Sequence, residues 1–241
     1  TQRVEAIQML KEEKEDMTIM QYQQEYLGLF VGGIQRYFPD ELIYQVCTGK
    51  KNIILPAGDK FQGIDIARMG GDDCPMVSLD RINRKQLIMF NMEIPGPQTL
   101  TDTARLIIHK DKTVNHKKIY MDDGGLGVGV YDILFEDRQT KRKIVGLNNA
   151  KRSIDIEQGK EKPRGKRLLG TDMAINLKVL MERGQIKLWN DPRIRHSLRS
   201  MQMDDSEGTL KIYGNFSHIF EAIKRAAWCM KDKSLNIMAF C

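Results

Sequence analysis

The 241-residue sequence predicts an α/β protein. Its centre is a mixed sheet, three antiparallel strands followed by parallel strands, with helices on both faces and a helical segment ahead of it. Three observations carry that prediction. Short apolar runs with strand-like alternation crowd between Phe61 and Ile94, with no helix-length period among them. From Thr99 onward, helical periods alternate with short apolar runs, as parallel sheets require. Residues 1 to 56 show helical patterning only.

Within that first segment, "VEAIQMLKEEKEDM" is charged and amphipathic, and "TIMQYQQEYLGLFVGGIQRYF" carries a broad aliphatic and aromatic stripe. "PDELIYQVC" opens with proline and acids, as helix starts do. No strand is expected before residue 57. The segment reads as an adaptor packed against the later part of the chain or against an upstream domain.

"FQGIDIAR" is the first strand, and "PMVSLDRI" and "KQLIMFNMEI" form a hairpin around Asn83 and Arg84. "TLTDTARLIIHK" is a helix with a threonine available to cap it. "KKIYM" is the fourth strand, "GVGVYDILFED" a helix, and "KRKIVGLNNA" the fifth strand. A polar, basic loop is expected from about 151 to 168. "TDMAINLKVLMER" then forms a long helix ended by Gly184. "PRIRHSLRSMQM" is another helix, "GTLKIYG" a short strand, and "SHIFEAIKRAAWCM" the last strong helix.

The totals narrow the function classes. No apolar run approaches the roughly twenty residues of a membrane span, and no signal peptide is evident. Cys47, Cys74, Cys229 and Cys241 are scattered, without a CxxC pair or a histidine at zinc spacing. That pattern suits neither a structural zinc site nor a disulfide framework, and it fits a reducing compartment. The net charge of +6 and pI near 9.0 favour an anionic partner. The chain opens without methionine and already helical in pattern, as a piece of a longer polypeptide would.

"IYMDDGGLGVGVYDIL" holds the most informative pattern. A dinucleotide loop requires GxGxxG, but Val130 stands where the third glycine belongs, and no GxxxxGK[ST] occurs in the chain. Asp122 and Asp123 at the mouth would repel a bare pyrophosphate. A metal site suits the same residues: a carboxylate at the end of a central strand is held at a fixed place, and glycines let the backbone turn sharply. The same aspartates would also serve a tight strand-to-helix turn. Asp65 is a second carboxylate, flanked in its strand by Ile64 and Ile66 and so facing opposite to both. On the last helix, Ile219, Ile223, Ala226 and Met230 form the apolar stripe. His218, Glu221 and Arg225 share the face beside it, where His218 and Glu221 can reach one site or Glu221 can pair with Lys224 or Arg225.

From Arg138 to Arg167 there are eleven lysines and arginines against three acids. They include Lys141, Arg142, Lys143, Lys151, Arg152, Lys160, Lys162, Arg164, Lys166 and Arg167. Such density suits a phosphate backbone, and the absence of interleaved aromatics favours a duplex over unpaired bases. It would also serve as a solvated loop.

Together these segments resemble the nuclease half of the large terminase subunit of tailed bacteriophages and related viruses, a ribonuclease H-like domain akin to junction resolvases. "YQQEYLGLFVGGIQRYFPDELI" resembles the passage from the motor domain into the nuclease, which sets the expected boundary between residues 1–56 and 57–241. "GIDIARMGGDD" is similar to the first catalytic strand and "IYMDDGGLGVGVYDIL" to the second. "LMERGQIKLWNDPRIRHSLRSM" is similar to the stretch before the closing helix, and "HIFEAIKRAA" to that helix.

The resemblance implies Asp65 and Asp122 as metal-binding and catalytic acids, with Asp123 the fallback for Asp122. Glu221 falls where the family usually has a third, aspartic acid, and His218 where it has a histidine. Asp72 matches a further acid that would assist a metal or shape a turn. The implied cofactors are two Mg²⁺ or Mn²⁺ ions, and the implied substrate is double-stranded DNA in the host cytoplasm. The implied partners are an ATPase motor domain, a portal protein and a small terminase subunit. No Walker motif occurs here, so this chain is expected to cut DNA and not to pump it. A junction-resolvase-type nuclease and a non-catalytic DNA-binding or docking module are the alternatives.

Overall fold

The computed structural model describes residues 35–51, 57–66, 74–83, 85–125, 127–157, 160–204 and 210–232. A six-stranded sheet forms the centre, from β2 (Asp59–Ile64), β3 (Met76–Ile82), β4 (Gln86–Glu93), β5 (Lys118–Met121), β6 (Ile144–Gly146) and β9 (Ile186–Lys187), in the order β6-β5-β2-β3-β4-β9. The β2–β3–β4 meander is antiparallel, while β5 and β6 extend it in parallel beyond β2 and β9 pairs in parallel with β4. The fold class is the one the sequence predicts.

Strand alternation feeds two cores. Phe61, Val77, Leu79 and Tyr120 face α4 (Leu169–Glu182) and α6 (His218–Ala227), joined by Met173, Leu177, Phe220 and Ile223. On the other face Ile64, Met76, Ile119 and Met121 meet α2 (Leu100–Val114) and α3 (Gly127–Glu136). Thr99 caps α2 by accepting a hydrogen bond from the Asp102 amide, as its place before the first apolar period predicts.

Four expectations are corrected. The segment before residue 57 does contain a strand: β1 (Gln35–Arg36) pairs antiparallel with β10 (Gln202–Asp204), which continues to β11 (Lys211–Tyr213). Hence the "PRIRHSLRSMQM" helix stops at Ser200, as α5 (Pro192–Ser200). Tertiary pairing overrides local helical patterning at both places. The basic stretch is not a loop but an antiparallel pair, β7 (Arg152–Glu157) and β8 (Lys160–Leu168). Its period-two signal, "SIDIE", is short and charged. The first strand ends at Ile64, one residue before Asp65, although the Asp65 amide still donates to the Pro75 carbonyl.

Residues 35–51 enter the first core. Tyr37, Phe38 and two residues of α1 (Asp40–Val46), Ile43 and Val46, are buried there. Residues 1–34 of the expected adaptor lie outside the described residues. Among the described residues no helix is long and apolar enough to cross a membrane.

Candidate metal and nuclease site

β2 and β5 run parallel with Ile64 opposite Met121, so Asp65 and Asp122 are the next residues past two neighbouring strand ends. Adjacent strands lie about 4.8 Å apart, so two carboxylates far apart in sequence become neighbours. Alternation sends both side chains toward α6, while Ile64, Ile66 and Met121 belong to the opposite core.

Gly63 lets α6 come close. A Cβ there would lie 2.1 Å from the Ala222 carbonyl oxygen and 2.4 Å from the Ala226 amide nitrogen. The helix backbone therefore rests on the strand itself, in a notch that only glycine leaves open. This contact places His218, Glu221 and Arg225 over the two aspartates.

The guanidinium of Arg225 is the hub. Its Nη1 lies 2.9 Å from Asp65 Oδ1 and 3.1 Å from Glu221 Oε2, and its Nη2 lies 3.0 Å from Asp122 Oδ2. The second oxygen of Asp65 is 2.9 Å from His218 Nδ1, and Asp122 Oδ1 accepts from the Gly124 amide at 2.8 Å. Glu221 has both oxygens engaged: Lys224 Nζ at 2.5 Å from Oε1, and Asn149 Nδ2 at 2.9 Å from Oε2. Burial disfavours the Glu221 carboxylate, yet Lys224 and Arg225 outweigh it and hold its pKa below the usual value. Burial lowers the Lys224 pKa against the pull of Glu221.

The groups differ in access. The Arg225 side chain is 1% exposed, while Asp65 is 15%, Asp122 28% and His218 37% exposed. Asp122 and the His218 imidazole are thus the outermost groups, Asp65 and Glu221 are similarly enclosed at 15% and 16%, and the guanidinium is the floor. A cavity of about 330 Å³ opens beside His218, lined also by Pro192, Arg193, His196 and Phe216.

The glycine loop serves Asp122. Gly125 has φ +55°, and a Cβ on Gly127 would meet the Asp122 carbonyl oxygen at 2.0 Å, so α3 starts packed against the aspartate's own backbone. Asp123 turns away from Arg225. It lies against Gly146, and its Oδ2 is 2.6 Å from Lys151 Nζ. Asp72 lies outside the described residues.

Of the basic residues, Lys141 and Arg142 are exposed, and Lys151 is exposed while paired to Asp123. Lys143 instead reaches inward to the buried Asp111, at 2.5 Å. The backbones of Arg152, Lys160, Lys162, Arg164, Lys166 and Arg167 lie on the β7–β8 pair, and their side chains lie outside the described residues.

Sequence alone offers Lys224 or Arg225 as a partner for Glu221, and both pairs form, but it gives Arg225 no part in joining Asp65 to Asp122 and passes over Asn149 and Gly63. Arginine four residues after a helix glutamate is commonplace, and only the strand order turns it toward Asp65 and Asp122. The "Gly-x-Asp" spacing at the end of β2, set against "Glu-Ala-x-x-x-Ala" in α6, is the one signal that foretells the close approach.

Two carboxylates and an imidazole can serve a hard divalent cation that keeps several waters. Every oxygen of Asp65, Asp122 and Glu221 already has a partner, so an ion would have to displace His218 from Asp65 and the Gly124 amide from Asp122, or Lys224 and Asn149 from Glu221. Among the described residues, no group of three or more histidines, cysteines and acids is arranged to hold a metal ion.

This strand order, β6-β5-β2-β3-β4 with the antiparallel β2–β3–β4 meander and helices on both faces, is that of the ribonuclease H-like fold. Within that class the chain has the fold of the large terminase nuclease domain. It matches the large terminase nuclease of thermophilic phage G20c with bound magnesium at a TM-score of 0.59 and 16% identity, covering 83% of this chain and 98% of that one. It matches the large terminase of a second thermophilic bacteriophage at 0.57 and 13% identity, covering 92% of this chain and 52% of that one. The large terminase nuclease domain of Thermus phage P74-26 gives 0.56 and 13% identity, with 78% and 91% covered. No protein-family model matches the sequence, and no curated protein does.

Proposed function

We propose that this chain is a divalent-metal-dependent endonuclease that cleaves double-stranded DNA during viral genome packaging, as the nuclease part of a large terminase subunit. The observation that supports the reading best is the side-by-side placement of Asp65 and Asp122 beneath His218 and Glu221. On this reading residues 1–56 lead in from an ATPase motor domain, and the portal protein, the small terminase subunit and the host cytoplasm complete the setting.

Asp65 and Asp122 would hold Mg²⁺ or Mn²⁺ at the open edge of the cluster. A bound ion supplies an activated water and stabilises charge on the phosphodiester. His218 orients Asp65 through its Nδ1, and Arg225 fixes the rotamers of both aspartates. Lys141, Arg142, Lys151 and the basic residues of the β7–β8 pair would hold the duplex by its phosphates, with little regard to sequence. The two ions the resemblance implies would require Glu221 to give up Lys224, Arg225 or Asn149.

The test is plasmid cleavage in Mn²⁺. Asp65→Ala and Asp122→Ala should each lose activity by at least a hundredfold while keeping the circular dichroism of the parent. Undiminished cutting by both folded variants refutes the assignment. One observation favours a non-catalytic DNA-binding or docking module instead: the acids already satisfy one another through Arg225 and Lys224. Such a module would bind duplex equally with and without Mn²⁺ and never nick it.

A further inference from the structure

We infer that Arg225 is a resident cation standing in the place of a second divalent ion, so that the pocket takes one exchangeable metal ion and not two. This rests on the metal-dependent nuclease reading above. The guanidinium joins Asp65 through Nη1 and Asp122 through Nη2, at 2.9 and 3.0 Å. It thereby does what a bridging ion does, holding two carboxylates at one centre. Its planar fork suits that task better than a lysine's point charge.

The charge count agrees. Asp65, Asp122 and Glu221 carry three negative charges, and Arg225 and Lys224 carry two positive ones within contact of them. One divalent ion brings this set from −1 to +1, and a second would raise it to +3, which a mostly buried cluster does not tolerate. Nor does Arg225 have an easy way out. Its side chain is 1% exposed, and its helix is seated against Gly63 through Ala222 and Ala226. Glu221 is then a positioning residue: with Asn149 and Lys224 around it, it anchors Arg225 and does not bind the ion.

The experiment counts Mn²⁺ bound to the full 241-residue chain without DNA, by equilibrium dialysis and electron paramagnetic resonance. The parent should bind one Mn²⁺ per chain, with an uncoupled six-line spectrum, and Asp65→Asn should lose it. Arg225→Met should take up two ions with a spin-coupled spectrum, and Arg225→Lys should keep one. Glu221→Gln gives the answer if Arg225→Met does not fold: it should retain the single ion, whereas a two-ion site would lose one. Two coupled ions on the parent, or one ion on a folded Arg225→Met protein, overturn the inference while leaving the nuclease reading intact. No Mn²⁺ on the parent at any millimolar concentration refutes that reading, and the inference with it.

Discussion

Asp111 shows how far a single charge depends on its neighbours. It is fully buried near the end of α2, where it meets His116 Nδ1 at 3.0 Å, Lys143 Nζ at 2.5 Å and Gln139 Nε2 at 3.0 Å. His116 Nε2 in turn lies 3.1 Å from Ser78 Oγ. The connectivity is that of a serine nucleophile, but Ser78, His116 and Asp111 are all buried in the interior, so the arrangement joins β3 and α2 to the segments leading into β5 and β6 and serves stability. Burial alone would push the Asp111 carboxyl up, yet the hydrogen bonds from His116, Lys143 and Gln139 outweigh it and hold the pKa at about 2. Burial lowers the His116 pKa against the pull of Asp111. Both folded-state values lie below those of the unfolded chain, roughly 6.5 for histidine and roughly 3.9 for aspartate. Both groups therefore stabilise the fold above those values, and the stabilisation is lost as pH falls. The melting temperature should drop below about pH 6.5 and again below about pH 4. In Asp111→Asn the lower step should shrink, leaving the part due to carboxylates such as Asp191, at a cost on the order of 3 kcal/mol at neutral pH; calorimetry across pH checks both. Sequence alone showed Asp65 and Asp122 because each breaks an apolar run. It could not show Lys143 turning inward, because a lysine in a basic run gives no sign of which one finds a buried partner.

At the level of elements, the strand and helix order was legible wherever apolar residues keep a clear period, as in β3, β4, α2 and α6. The pieces that escaped are two- and three-residue strands such as β1, β9 and β10, whose existence depends on a partner elsewhere in the chain. The β7–β8 pair escaped because charge hid its alternation. The most exacting contact between elements is Gly63 beneath α6. Gly63→Ala forces its methyl into the backbone at Ala222 and Ala226, so the helix must shift. The expected cost is about 1–3 kcal/mol. Cleavage should fall more steeply than stability, because the helix carries His218, Glu221 and Arg225. Thermal melts run beside plasmid cleavage separate the two effects, and a full-rate Gly63→Ala enzyme would show that α6 does not need that seat.

For the molecule as a whole, the β7–β8 pair is a separate two-stranded sheet, set apart from the six-stranded one and lying just ahead of α4. Replacing residues 153–166 with a short glycine-serine link should leave the melting temperature within a few degrees of the parent. Duplex binding should weaken, and the slope of log affinity against log salt should fall by about 0.9 for each phosphate the shortened protein no longer neutralises. Fluorescence anisotropy over a salt series measures this, and an unchanged slope would remove the pair from the DNA-binding surface.

Arg225 reaches far back along the chain, to a partner, Asp65, 160 positions earlier. A polypeptide still emerging from the ribosome therefore has its aspartates in place before it has anything to gather them. Until α6 has been synthesised and has docked, the nascent protein holds both aspartates without the guanidinium that joins them.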